Sequence, residues 1–297
     1  MMSEILTDAQ VVCSTLIGCG ASVMKNLEFD MVLVDEASQA TEPRALIAIG
    51  KLSAVGRLVL IGDQQQLPPT CVSKQAENLG LGTSLFARLL KEKESLLGPT
   101  MLKVQYRMHP LISKWPSDAF YGGQLENGVS AAMRPPPKSG LPWPSAGGLI
   151  FVNSPSSSQE ATSPDGKSKM NLAECELVRQ AAERLLQGTA AEDIGVISPY
   201  RGQVIQLRRA LQAWPAMEVK TIDGFQGCEK RVILVSCVRC NSQGDLGFLA
   251  DYRRLNVALT RAQYGLVVVG NRETLEKNPL WQGWLKFVDD HDLQVLL

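Results

Sequence analysis

A chain of 297 residues that is 45% hydrophobic buries about three quarters of its unfolded surface, which excludes a disordered segment and leaves room for two ordinary domains. Its 30 basic and 30 acidic side chains cancel, so no global field announces a polyanionic partner, and any nucleic-acid contact must be local. Apolar runs such as 58–61 and 266–269 fall far short of the ~18 residues of a membrane span. The first residues also lack the basic and apolar regions of a secretory signal, so the expectation is an intracellular protein, cytoplasmic or nuclear, with no membrane contact.

In chain order, the first strong signal is the apolar run 31–34, a buried strand that ends abruptly in Asp35-Glu36. Open parallel sheets bind ligands beyond the carboxyl ends of their strands. A carboxylate pair there suits a magnesium ion, which favours few carboxylates plus phosphate oxygens, and an attacking water. The same pair also serves as a plain complement to a helix dipole, and the two readings stand even at this point. The next strand, 57–61, ends in Gly62-Asp63-Gln64-Gln65-Gln66-Leu67-Pro68-Pro69, polar groups followed by a proline-fixed turn.

Further strands are expected at 149–152, 194–197, 232–235 and 266–269; all read as buried and parallel. The segments 172–186 and 203–211 place apolar residues at three- and four-residue intervals, as helices covering such a sheet do. The whole pattern is α/β. Five prolines between 128 and 148 mark an irregular excursion, and the Ser-, Pro- and Gly-rich stretch 154–169 reads as a mobile surface loop. The seven cysteines are scattered, mostly in apolar runs, and are expected reduced. Cys237 and Cys240 form one CxxC without a second ligand pair, so packing at a strand end fits better than zinc.

Five strings complete the series: Asp35-Glu36-Ala37-Ser38; GDQQQLPP at 62–69; QYRMHP at 105–110; TIDGFQGCE at 221–229; and RRLNVALTRA at 253–262. With SPYRGQ at 198–203, their order and spacing resemble motifs II to VI of superfamily 1B helicases, in the branch of the nonsense-mediated-decay helicase and senataxin-like proteins. The resemblance spans almost the whole chain. It implies two RecA-like parallel-sheet domains, the first (1–104) truncated at its N-terminus and the second covering 105–297.

The resemblance also implies roles. Asp35 and Glu36 hold magnesium through water and activate the attacking water, and Gln66 contacts the terminal phosphate of ATP. Arg107 and Arg261 direct guanidinium groups at the γ-phosphate, where such fingers are worth ~10³ to 10⁵ in turnover. Tyr106 packs on the nucleotide, Glu229 hydrogen-bonds it, and Gln226 couples nucleotide state to strand grip. Thr15, in a segment similar to motif Ic, and Thr221 bind backbone phosphates of single-stranded RNA or DNA; Arg201 joins them. Tyr200 either stacks on a base or anchors its turn. A monomer coupling ATP hydrolysis to 5′-to-3′ translocation is expected, with accessory domains or protein partners unspecified.

One part is missing. The family's GxxGTGKT loop, which cradles the β- and γ-phosphates, does not occur upstream of Asp35. Gly166-Lys167-Ser168 is no substitute, because Ala161 stands where the first loop glycine belongs and no strand precedes it. Two readings follow: part of an ATP-hydrolysing helicase, or a relative that grips nucleic acid without catalysis.

Overall fold

The computed structural model describes residues 2–92 and 98–297. Two compact units emerge, Met1–Met101 and Leu102–Leu297.

The first unit is built on two parallel strands, β1 (Phe29–Val34) and β2 (Leu52–Leu60), joined through helix α1 (Glu42–Ile49). The run 31–34 falls inside β1, whereas β2 begins five residues before the run expected at 57–61 and ends at Leu60. Their burial does not follow, since Met31, Leu33, Leu58 and Val59 are 48%, 59%, 36% and 38% exposed. The reason is numerical: two strands with one flanking helix cannot cover both faces of a sheet. One core cluster of this unit gathers Ala40, Ala45 and Leu85 with Leu16, Ile49 and Leu60.

The main sheet of the second unit has six strands: β3 (Leu149–Asn153), β4 (Ile194–Ser198), β5 (Glu218–Thr221), β6 (Lys230–Ser236), β7 (Ala262–Gly270) and β8 (Gln294–Val295). All pair in parallel, in the order β8-β3-β7-β6-β4-β5. Alternate residues point to opposite faces. Ile150, Val152, Val196, Val232, Leu234, Val267 and Val269 pack against helices α3 (Leu172–Leu185) and α4 (Arg201–Ala210). Phe151 on the other face meets Trp284 edge-on at 5.6 Å. Trp284 belongs to α6 (Pro279–Asp290), whose buried Trp281, Trp284, Leu285 and Val288 follow a helical spacing. Helices α2 (Pro110–Tyr121) and α5 (Tyr252–Leu259) complete the set used below.

The 154–169 stretch is more structured than its composition suggests. Ala161–Thr162 and Lys169–Met170 form a short antiparallel pair, and Ser158 and Ser163 are buried. Glu160 reaches inward to Arg239 at 2.8 Å. Short polar side chains here satisfy backbone groups of ordered turns, as where Ser168 N donates to Ser163 Oγ at 2.9 Å. Cys237 is fully buried and Cys240 nearly so, and burial pushes both thiols up from their ordinary range, the signature of packed rather than reactive cysteines.

Glu174, near the start of α3, is wholly buried. Its Oε2 accepts from Ser236 Oγ at 2.6 Å and from Val238 N at 2.7 Å. Its other oxygen has no partner among the described residues. Burial raises the carboxyl from its ordinary 4.5 to about 7, against the pull of those two hydrogen bonds. The folded state therefore holds the proton more tightly than the unfolded chain. This contribution is complete below pH 4.5 and is lost as pH rises to about 7. Glu174→Gln should flatten that decline, by on the order of 3 kcal/mol at pH 8. Denaturant unfolding of both proteins at pH 5 and pH 8 checks it; parallel pH dependences would show that Glu174 does not titrate in this range.

Candidate functional site

In the first unit, β1 delivers Asp35 and Glu36 at its carboxyl end, both exposed. Asp35 Oδ1 accepts from Glu36 N at 2.9 Å, turning the chain sharply. Glu36 adopts φ 52° and ψ 37°, a left-handed conformation uncommon for a residue with a side chain. Its Oε2 accepts from Gln39 Nε2 at 2.5 Å. Glu36 precedes a single short turn, Ala37–Gln39, and its side chain makes no capping hydrogen bond to it. The strand end of β2 is stitched alongside: Ala37 N donates to Ile61 O at 2.7 Å and Asp63 N to Ser38 Oγ at 3.2 Å. Asp63 accepts from Gln65 N at 2.9 Å and from Gln66 Nε2 at 2.8 Å. The two carboxylates and Gln66 thus sit on two loops tied to each other at adjacent strand ends. Gly62 makes this contact possible, because a Cβ there would lie 2.8 Å from Ser38 N. Thr15 lies elsewhere in this unit, exposed, its Oγ1 accepting from Gly18 N at 3.1 Å.

In the second unit, the loop at 105–109 carries Tyr106 and Arg107. Gln105 braces it from within, its Oε1 accepting from Arg107 N at 2.9 Å and from Met108 N at 2.8 Å. His109 then starts α2 by accepting from Leu111 N at 3.0 Å through Nδ1, and burial lowers its pKa, so the ring is neutral. The Arg107 guanidinium donates to Glu229 Oε2 and to Thr260 O at 3.1 Å. Glu229 Oε1 accepts from Gln263 Nε2 at 2.7 Å. Burial pushes the Glu229 carboxyl up, but Arg107, Gln263 and the nearby Arg261 outweigh it and hold it below the ordinary carboxylate value. Arg261 is 2% exposed, donating from Nε to Val257 O at 3.1 Å and from Nη2 to Thr260 Oγ1 at 2.9 Å.

Arg107, Glu229, Thr260 and Arg261 therefore form one cluster, drawn from three strings far apart in the chain. Both Glu229 oxygens are engaged within it. Tyr106 is 66% exposed, with its ring against Gly128, where a Cβ would lie 2.3 Å away.

The remaining expected residues scatter. Thr221 Oγ1 accepts from Gly224 N at 3.1 Å, capping one helical turn, and Gln226 Nε2 is buried without a partner among the described residues. Arg201 is exposed at the first position of α4. Tyr200 departs from the stacking expectation. It is 4% exposed, its hydroxyl donates to Leu246 O at 3.1 Å, and Arg239 Nη1 donates to it at 3.1 Å. It anchors its turn, and in this conformation its ring offers no open face to a base.

Residues outside the expected set also build the cluster. Gln105 opens the QYRMHP string and Gln263 directly follows RRLNVALTRA, so both were reachable by asking which neighbours brace the arginines; Arg134 and Tyr264 carry no sequence signal.

Residues 81–273 match an AAA domain family, and residues 1–74 match a second AAA domain family. The "Regulator of nonsense transcripts 1 homolog" of Arabidopsis thaliana is 41% identical over 303 residues, covering 98% of this chain and 24% of that protein. The "ATP-dependent helicase NAM7" of Saccharomyces cerevisiae is 42% identical over 290 residues, covering 94% of this chain and 29% of that protein. The chain thus spans 24% to 29% of the length of these relatives. Among solved structures, "The structure of PRRSV helicase" aligns at 16% identity and TM-score 0.44, over 83% of this chain and 36% of that one, too loosely to add to the assignment.

Proposed function

Because the chain belongs to the superfamily 1 helicases, in the branch of the regulators of nonsense transcripts, we propose that it forms part of the motor core of an ATP-dependent helicase acting on single-stranded RNA or DNA. The observation that carries this reading is the cluster of Arg107, Glu229, Thr260 and Arg261. Two guanidinium groups held beside one carboxylate suit a γ-phosphate far better than they suit a stable core, where such pairs add little.

In this reading Glu36 orients and deprotonates the attacking water, and Gln66 contacts the terminal phosphate. Arg107 and Arg261 stabilise charge developing on the γ-phosphate. Tyr106, exposed beside Arg107, packs on the nucleotide. Asp35 suits magnesium held through water, because magnesium prefers one or two carboxylates plus phosphate oxygens. When bound, magnesium supplies charge neutralisation on those oxygens. Thr15, Arg201 and Thr221 contact the strand backbone, which fits a chain without net charge, since such grip is local. Gln226 couples the two sites. Translocation runs 5′ to 3′ and the motor acts as a monomer.

The second reading, a strand-binding relative without catalysis, leaves the Arg107 and Arg261 cluster unused. The test compares strand-stimulated ATP hydrolysis by the full-length protein and by residues 1–297 alone. We expect turnover from the full-length protein and a negligible rate from this chain, which carries no phosphate-cradling glycine loop. Robust hydrolysis by the chain alone would refute the division of labour, and strand binding without any hydrolysis by the full-length protein would favour the second reading.

A further inference from the structure

The irregular 128–148 excursion has no part in the motor reading, yet it delivers one side chain to the Arg107 loop. Arg134 Nη2 donates to Tyr106 O at 3.1 Å and its Nε donates to Arg107 O at 3.1 Å. Its third nitrogen reaches Tyr264 OH at 3.3 Å, and the guanidinium carbon lies 5.0 Å from the centre of the Tyr264 ring. Arg231 also lies over that ring, at 4.5 Å. Two consecutive carbonyls are thereby held by one planar fork, whose own plane is fixed by an aromatic face.

We propose that Arg134 is a positioning residue for Arg107, locking the backbone from which that guanidinium projects toward the reacting phosphate. The Arg107 peptide is then held at both ends: Gln105 accepts from its N–H at 2.9 Å, and Arg134 donates to its carbonyl. Two residues on, His109 N donates to Gln263 O at 2.8 Å, which ties the loop to β7. Arg134 hydrogen-bonds the carbonyls of Tyr106 and Arg107 and the Tyr264 hydroxyl, so its effect passes through the Arg107 backbone. A finger arginine stabilises the transition state only from a preset position, and a displacement of about 1 Å costs up to ~10²-fold in rate. Lysine cannot replace the fork, because a single ammonium cannot span two carbonyls while stacking on a ring.

This inference rests on the proposed role of Arg107, and the experiment separates the two. Strand-stimulated ATP turnover is measured in the full-length protein for Arg107→Ala, Arg134→Ala, Arg134→Lys and the double alanine variant. Expected is a fall in kcat of ~10- to 100-fold for Arg134→Ala, with KM for ATP within about twofold. The double variant should be no slower than Arg107→Ala alone, because the second change removes only what served the first. Arg134→Lys keeps the stem and charge that favour folding, so it carries the test if the alanine variant does not fold; it too should lose about tenfold. Wild-type kcat in Arg134→Lys, or effects that multiply in the double variant while Arg107→Ala is impaired, would overturn the positioning role alone. Wild-type kcat in Arg107→Ala would overturn the motor reading beneath it.

Discussion

In the full-length protein, Glu36→Gln is expected to bind ATP as the wild type does and to hydrolyse it ~10²- to 10⁴-fold more slowly, the loss of a general base. The substitution keeps the side-chain shape and the hydrogen bond from Gln39, while removing the group able to take a proton. The backbone supports the assignment. A left-handed conformation at a residue with a Cβ costs on the order of 1 kcal/mol, and it persists because Asp35 Oδ1 holds Glu36 N while Ala37 N is tied to Ile61 O. Strain of this kind concentrates where a side chain must be aimed. Equilibrium binding of a fluorescent ATP analogue, paired with phosphate release under saturating strand, makes the measurement. Turnover equal to the wild type would remove Glu36 from the water-activating role.

The second large effect is expected at Arg261. Arg261→Ala should lower kcat by ~10³-fold or more, the scale of a lost finger in other phosphoryl-transfer enzymes. Arg261 is nearly buried and caps the carbonyl of Val257 at the end of α5. Truncation therefore also removes a charge-assisted hydrogen bond, costing about 1.5 to 3 kcal/mol of stability. A thermal melt separates that loss from catalysis. Arg261→Lys should fold better than the alanine variant and still turn over slowly, since an ammonium lacks the planar fork. A kcat within tenfold of the wild type in a folded Arg261→Ala protein would place this arginine outside the phosphate site.

The strands at 149–152, 194–197, 232–235 and 266–269 were legible because an all-parallel sheet covered on both faces demands unbroken apolar runs, and those at 31–34 and 57–61 carry the same kind of run although β1 and β2 stay open to solvent. The edge strands Glu218–Thr221 and Gln294–Val295 were not, being short and mixed in composition. Helices α2 and α6 each begin with proline after a capping His109 or Asn278, a start signal present in the sequence. The interior Pro116 of α2 obscured its period. Tyr200 shows the limit for sites: a tyrosine after proline reads equally as a base platform or an anchor, and only its burial against Leu246 and Arg239 decided between them.

Local pattern alone determined the α/β class, the positions of the long apolar strands and the strings bearing Asp35, Glu36, Gln66, Arg107 and Arg261, because periodicity and motif chemistry are written in neighbouring residues. Tertiary structure decided what no neighbour encodes: that Glu229 closes on Arg107 from 122 positions away, that Arg134 grips the same loop, and that β1 and β2 stay open to solvent. Burial and long-range pairing depend on which surfaces the folded chain brings together, and that is a property of the packing rather than of any single segment.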